Sequence, residues 1–402
     1  MTRKIIRQTS LLLGAALLCG NALAENTSFT SALSDGTVYG DFRLRYENVD
    51  QDNALQDANA LTLRSRLGYK TGNYHGLSGV LEFEDSRAIA GVDDYNDTQG
   101  RTPDHSVVAD PETTEVDQAF AQYTNAGFSG RIGRQVITLD NQRFVGAVGW
   151  RQDRQTFDAT RLTYAISDLT LDYAYVTKHN RIFAQGGDQD AKDHLVNASY
   201  QSSLGVLTGY AYLLELDNVP DNSLDTYGLR YTGKTDLDGI GVLYELEYAT
   251  QEADSTGTDA DAGYYKALAG VQAAGVTVSL AYEVLGSDDG NYGFSTPLAT
   301  LHAFNGWADQ FLATPNSGLK DLVVTAVGTL AGGKWVLAYH DFSADDDAAG
   351  TDDFGSEVDV AYHRGFGQNY SAGIKYAAYM AGDDAAGKVD TNKLWLTLGA
   401  KF

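Results

Sequence analysis

Arginine residues crowd into the first half of the sequence, and their side chains can bind anions. Of the 15 arginines that follow residue 24, 13 lie before residue 182. The planar guanidinium presents its N–H groups as a rigid fork that matches a carboxylate and keeps its charge at physiological pH. If these side chains converge on one surface, that surface would attract an anionic solute.

Acidic residues share the same segments and give the arginines an alternative role. The polar faces of the strands described below also carry carboxylates, namely Asp41, Glu47, Glu82, Glu84, Asp172, Glu245, Glu247, Glu283, Glu357 and Asp359. Any single arginine can therefore belong to a structural ion pair instead of binding a solute. A whole basic wall is harder to explain by pairing and would favour an anion.

A second group of acids lies in predicted loops and includes Asp345, Asp346 and Asp347. Carboxylate oxygens suit Ca²⁺, and such clusters can also reach lipopolysaccharide phosphates through divalent ions. None of the clusters has a complete calcium-loop pattern. We therefore keep the three aspartates as candidates for a loop calcium site, expect no other metal or cofactor, and retain a solvated acidic surface as the alternative.

Motifs for catalysis are missing from the sequence. It has neither a G-x-S-x-G nor an H-E-x-x-H motif. The seven histidines are dispersed, and the one cysteine, Cys19, lies in an N-terminal segment expected to be removed. His340 and His363, on neighbouring predicted strands, are interpreted as ordinary polar lining. The sequence therefore predicts a protein that is not an enzyme.

Strict alternation of apolar and polar residues must position these charges. From 36 to 49, Phe42 and Leu44 share one face, whereas Arg43 and Arg45 share the other. A period of two is typical of a β-strand with one apolar face. The same alternation puts on polar faces Arg64, Arg66, Arg131 and Arg161. The alternation does not predict which face carries the arginines near a loop, which are Arg134, Arg151 and Arg154.

Eighteen segments of this kind are predicted as strands. They are 36–49, 59–71, 75–87, 113–125, 127–138, 154–165, 168–178, 190–201, 204–216, 222–233, 238–250, 259–271, 275–286, 319–331, 333–343, 353–364, 369–380 and 388–402. Short connections alternate with longer polar ones, the two longest being 88–112 and 287–318. This predicts an all-β fold, a transmembrane antiparallel meander β-barrel of about 18 strands with short periplasmic turns and long extracellular loops.

The two ends of the sequence agree with an outer-membrane location. Residues 1–24 have a basic start, a short apolar run and Ala22-Leu23-Ala24, which predicts a cleaved signal peptide before one barrel over 25–402. The last strand ends in Phe402, which resembles the recognition signal read by the barrel-assembly machinery. Removal of the signal takes the formal net charge from −25 to −28, because three basic residues are lost. Such an acidic balance argues against nucleic-acid binding.

Two stretches go beyond architecture and carry a family resemblance. The first runs through Gly133-Arg134-Gln135, Asn141 to Gly146, Trp150-Arg151-Gln152 and Thr156 to Ala159; the second runs through His302 to Asp309 and Gly318 to Leu322. Together they resemble the alginate-export family of outer-membrane porins.

The resemblance implies a monomeric 18-stranded barrel whose arginine-lined lumen passes a polyuronate. It assigns to an electropositive constriction Arg134, Arg143, Arg151, Arg154 and Arg161. It also implies that a loop at the pore mouth is shaped by Asn305, Trp307 and Asp309.

The leading hypothesis is a porin that passes alginate or other uronate-type saccharides by passive diffusion, surrounded by membrane lipid and lipopolysaccharide. A barrel of this size is wide enough for an aqueous channel. One alternative is a general or organic-anion porin. A different kind of alternative is an outer-membrane enzyme or adhesin that uses the loops.

Overall fold

The computed structural model describes residues 28–219, 222–255, 258–347, 350–383 and 386–402. The predicted signal peptide therefore lies outside the described residues. One short α-helix, α1 (Phe29–Ser34), begins at Ser28, whose hydroxyl accepts a hydrogen bond from the Ser31 amide. Within the described ranges, no helix is both long and apolar enough to cross a membrane.

Alternating sequence segments form strands that account for most of the described chain. Their bounds are β1 Thr37–Gln51, β2 Ala58–Lys70, β3 Leu77–Asp94, β4 Thr113–Asn125, β5 Phe128–Gln135, β6 Thr156–Ile166, β7 Leu169–Asn180, β8 Gln189–Gln201, β9 Val206–Glu215, β10 Asn222–Leu237, β11 Ile240–Ser255, β12 Thr258–Ala273, β13 Val276–Leu285, β14 Ser287–Asp288, β15 Tyr292–Gly293, β16 Leu319–Leu330, β17 Gly333–Ser343, β18 Asp353–Phe366, β19 Tyr370–Met380 and β20 Thr391–Lys401. The two-residue strands β14 and β15 form a separate small hairpin.

The other 18 strands form one antiparallel sheet that closes on itself, because β1 pairs with both β2 and β20. Closure gives each of these strands a neighbour on both sides, which is how a sheet satisfies its backbone in a membrane. The predicted fold and strand count are confirmed. Two boundaries differ most: β3 continues to Asp94 instead of 87, and β11 continues to Ser255 instead of 250.

Burial in this barrel is the reverse of that in a soluble protein. Inward-facing Arg45 and Glu47 are each 1% exposed, whereas outward-facing Ile132 and Leu246 are 62% and 60% exposed. The alternation predicted from the sequence therefore directs charges to the interior and apolar side chains to the outside. Such an outer surface suits contact with lipid chains.

Tight turns join the strands at one rim. Asp238 and Gly239 between β10 and β11, and Ala274 and Gly275 between β12 and β13, all have positive φ. Positive φ at both central residues is typical of a type I′ hairpin, whose twist matches that of the strands. The predicted turn at 233–238 is therefore shorter than expected, because strand pairing continues to Leu237 opposite Ile240.

Three long connections at the opposite rim fold into the barrel, and we call 95–112, 136–155 and 286–318 the inner loops. Apolar side chains from the last two pack together, including the fully buried Ile137 and Phe294. A backbone bridge joins Val145 to Leu298. The inner loops therefore form an apolar core inside the closed sheet.

A bulge in β18 helps to hold this inner core. Phe342 faces Gly355 and Ser343 faces Asp353, so Phe354 has no partner in the register. Phe354 is buried and its ring lies 5.8 Å from that of Phe311 on an inner loop. The bulge thus turns an extra aromatic side chain toward the loop.

Gly355 should be essential to this bulge. Its φ is +93°, and a Cβ there would lie 2.1 Å from the Met380 carbonyl oxygen. We expect Gly355→Ala to destabilise the barrel by about 3 kcal/mol, because backbone strain and overpacking add. Gly239 is the matched control: its φ is +88° but a Cβ would meet open space. Gly239→Ala should cost only about 1 kcal/mol. Equal urea midpoints for the two variants would contradict this account.

Candidate functional site

The basic face of the barrel begins on β1 and β2. Arg43 lies directly opposite Arg64 in the register, and Arg45 and Arg66 lie two residues away on the same inward face. Like charges directly across a strand pair repel each other. The sheet therefore concentrates positive charge at one place on its inner wall, where the alternation predicted it.

Most of this charge is paired with carboxylates. Arg45 contacts Asp110 on an inner loop, and its guanidinium also lies 3.5 Å from Glu47. Arg64 donates to Asp41 at 2.6 Å. In the same way, Arg66 contacts Glu84. The structural ion pairs left open as the alternative interpretation are therefore present for these three arginines.

The inner loop 136–155 brings three more arginines into the lumen. Arg143 Nε lies 3.0 Å from Glu283, and Arg154 lies 2.5 Å from both Glu82 and Asp117. Arg151 lies 3.1 Å from Glu47 and 3.4 Å from Asp309. Each of these contacts joins a loop arginine to an acid on the wall or on another inner loop.

Arg43 differs from its neighbours because its partners are neutral. It donates to Gln152 Oε1 and to the Gly149 carbonyl, both at 2.9 Å. Its third acceptor is the Arg151 carbonyl. Among the described residues, no carboxylate lies within ion-pair distance of the Arg43 guanidinium.

A second arginine pair lies on β5 and β6. Arg131 and Arg161 are directly opposite each other in the register. Arg161 forms an ion pair with Asp172 at 2.7 Å. Within the part of the chain that the structure describes, Arg131 donates to Gln122 alone, at 2.8 and 3.1 Å, and it lies over the Phe120 ring. This pair therefore repeats the arrangement of Arg43 with Arg64.

Arg134 does not belong to the interior, which corrects the expectation that it lines the lumen. It shares the face of β5 that carries Phe128 and the exposed Ile132, whereas Gln135 on the other face is fully buried. Its guanidinium forms an ion pair with Asp158 at 2.8 Å. Side chains of a strand alternate between its two faces, and Arg131 and Arg134 are three positions apart. The two side chains therefore point to opposite sides of the wall.

Asn305, Trp307 and Asp309 lie inside the barrel instead of at its mouth. Asn305 is 4% exposed and donates to Glu283 at 2.8 Å while accepting from Arg143 at 2.9 Å. Their loop was expected to edge the entrance, but it folds inward because its polar side chains complete the hydrogen bonds of charges on the wall.

The centre of the interior is an aromatic cluster around Lys375 on β19. The Lys375 ammonium lies 3.6 Å from the ring centroid of Trp307, 4.3 Å from that of Trp150 and 5.3 Å from that of Trp395. Trp150 also stacks on His302 with centroids 4.3 Å apart. We call these five residues the Lys375 cluster. It joins two inner loops to the wall by cation–π contacts.

His302 connects this cluster to Asp309. Its Nε2 lies 2.7 Å from Lys375 Nζ, and its Nδ1 lies 2.6 Å from Asp309 Oδ1. An ammonium can only donate, so Nε2 accepts and Nδ1 carries the proton that is donated to Asp309. Burial lowers the pKa of His302 to about 3 and keeps the ring in this neutral form.

Asp309 remains ionised although it is fully enclosed. Burial alone would raise its pKa, but His302, Lys393 and Arg151 outweigh that effect and hold the pKa well below the ordinary value. The Lys393 ammonium lies 2.8 Å from its carboxylate. The family motif points to Asp309, but the sequence does not show that Lys375, Lys393 and His302 surround it. The available signal was that Lys375 on β19 faces Trp395 on β20 in the register.

The calcium candidates lie apart from this interior site. Asp345 accepts a hydrogen bond from the Ser287 amide at 3.1 Å and lies 3.5 Å from Lys320. These contacts fasten the loop after β17 to the inner loop 286–318. A calcium role for Asp345, Asp346 and Asp347 stays a prediction.

The Lys375 cluster should hold the inner loops in place. Lys375→Met keeps the length of the side chain but removes its charge and its hydrogen bond to His302. We expect hydrogen exchange of residues 300–309 to accelerate roughly tenfold or more, because a desolvated cation–π contact contributes about 2 kcal/mol. Lys334→Met, at an exposed position near a tight turn, is the control. Equal exchange in both variants and the parent would contradict the role of the cluster.

Comparison with known proteins places this barrel in a family. A family model described as alginate export matches residues 36–284. OccAB4 of Acinetobacter baumannii superimposes with a TM-score of 0.73 at 15% identity, over 91% of this chain and 98% of its own. OccK9 (OpdG) of Pseudomonas aeruginosa gives 0.71 at 17%, over 92% and 100%. These structures share the fold, and no curated protein sequence matches the chain. The chain belongs to the alginate-export family and is an outer-membrane β-barrel channel.

Proposed function

We propose that this channel passes anionic saccharides, with alginate or other uronate oligosaccharides as the leading candidates, by passive diffusion along inward-facing arginines. The description of its family as alginate export supports this class of solute. The carboxylate of a uronate matches the guanidinium fork, and the hydroxyl groups of the sugar ring can form hydrogen bonds with neighbouring polar side chains.

The observation that carries the proposal is the recurrence of opposed arginines. Arg43 faces Arg64 and Arg131 faces Arg161 across neighbouring strands. In each pair one guanidinium has a carboxylate partner, at Asp41 or Asp172, and the described partners of the other are neutral groups. Repulsion within such a pair destabilises the empty protein, and a bound anion would relieve it.

The paired arginines of the inner loops fit a channel better than a tight binding site. A carboxylate of the solute must compete with Glu47, Glu82 or Glu283 for the same guanidinium groups. Competition weakens each single contact. A chain of weak sites lets an ion or charged sugar enter and also leave, which conduction requires.

The interior, not the total charge, should decide which solutes enter. Acids that contribute to the formal net charge of −25 also lie away from the lumen: Asp347, Asp238 and Asp259 are at exposed positions of loops, turns or strand ends. Exposed charges separated by more than about 10 Å are largely screened at physiological salt. The opposed arginines face the solute at much shorter range.

Neighbouring residues on opposite faces of β5 give a direct test. Current through single channels in a planar bilayer should be blocked by uronate oligosaccharides. Arg131→Gln should weaken the block about tenfold, or ~1.4 kcal/mol, because one charge-assisted contact is lost. Arg134→Gln should leave the block unchanged, because that side chain points outward.

Three results would contradict the proposal in different ways. Ohmic current that uronate oligosaccharides do not block would favour a general or organic-anion porin. Equal block in the two variants would remove Arg131 from the path. Failure of the folded barrel to conduct at all would favour an enzyme or adhesin that acts through its loops.

A further inference from the structure

Three carboxylates converge where the inner loop 136–155 meets the wall. Glu84 on β3 and Glu115 on β4 face each other in the register, and Asp153 comes from the loop. One oxygen from each of the three lies within 4.8 Å of the other two. We call these residues the carboxylate triad. The sequence pattern gives no sign of this group, because Asp153 reaches the two glutamates only when the loop folds inward.

The loop is held firmly in this position by the residues on either side of Asp153. The Gln152 side chain donates to the Thr62 hydroxyl at 2.8 Å, and the backbone amide of Gln152 donates to Asp110 at 2.9 Å. On the other side, Arg154 lies 2.5 Å from Asp117 on β4. The Asp153 carboxylate is therefore held against the wall by its neighbours, and it also accepts a hydrogen bond from the Ala184 amide at 3.4 Å.

The positive charges near the triad are shared with other acids, since Arg66 also lies 3.7 Å from Asp117 and Arg134 forms an ion pair with Asp158. Arg66 contacts Oε2 of Glu84. The Oε1 atom of the same carboxylate is buried and has no hydrogen-bond partner among the described residues, and the same is true of the hydroxyl of Ser86 two residues along. Glu84 is 1% exposed. An unpartnered carboxylate oxygen at such depth is costly unless a cation or proton meets it.

A divalent ion placed between the three carboxylates would meet the unpartnered oxygen of Glu84 and satisfy all three acids together.

We propose that Glu84, Glu115 and Asp153 bind a Ca²⁺ ion that ties the inner loop 136–155 to β3 and β4. All three offer hard oxygen ligands. Oxygens bound to one Ca²⁺ can lie up to about 5 Å apart in a flexible geometry, whereas Mg²⁺ demands near-ideal octahedral geometry and gives up its water reluctantly. Each oxygen of the triad lies within 4.8 Å of the other two, so one Ca²⁺ can contact all three.

An ion can reach the triad from outside the barrel. β5 ends at Gln135, so the residues of β4 that precede Ala119 are not paired with β5. A cavity opens there, lined by Glu115 together with Thr114, Arg134, Asp158 and Gln185. The proposed site thus has an entry path that does not require the inner loops to leave the lumen.

Calcium binding to the purified, chelator-treated barrel tests the proposal by isothermal titration. The full chain in detergent should bind one Ca²⁺ per barrel at least tenfold more tightly than Mg²⁺. Asp153→Asn and, separately, Glu115→Gln should each weaken binding at least tenfold. Asp140→Asn is the matched control, because it lies on the same inner loop but bonds to Asn197. It should bind like the parent.

A stability measurement separates a metal site from a purely structural one. Chelation should lower the melting temperature of the parent but not that of Asp153→Asn, whose amide removes the repulsion within the triad. Absence of calcium binding by the parent would overturn the proposal. Unchanged binding in both triad variants would also overturn it, since the ion would then lie elsewhere, for example on exposed acidic loops.

Discussion

Charges that leave water must find partners, and this constraint shapes the whole interior of the barrel. The closed sheet directs its apolar side chains outward and its charged ones inward, away from lipid. Inner loops then fill much of the lumen and remove those charges from bulk water. Arg45 with Asp110, Glu47 with Arg151 and Glu283 with Arg143 each join wall to loop. Removing one partner of a buried pair costs roughly 3–5 kcal/mol, so wall and loops hold each other in position.

The same constraint explains why the interior can be strongly charged and still suit conduction. Under the proposed function, arginines with carboxylate partners would provide positive potential without holding a solute tightly. Arg43 and Arg131, which have neutral partners and face another arginine, would be the places where an anion gains most. The carboxylate triad is the complementary case, in which acids outnumber nearby cations and a divalent ion would restore the balance.

Strand positions and the inward face of most arginines could be predicted from the sequence, because lipid on one side and water or charge on the other impose a period of two. Arg134 could not be assigned in this way, since it lies one residue before β5 ends and the chain turns inward. The Lys375 cluster was also out of reach. It joins Trp150 to a lysine on β19, and the alternation of a strand carries no information about which loop will fold over it.

The central claim is that inward-facing arginines, and not the acidic total, set the ion preference of the channel. The most direct measurement is the zero-current potential of the unmodified channel in a planar bilayer under a KCl gradient. The account predicts a potential whose sign reports preferential passage of chloride. A potential of the opposite sign, reporting preferential passage of potassium, would show that the acidic residues dominate the pore and would contradict the account.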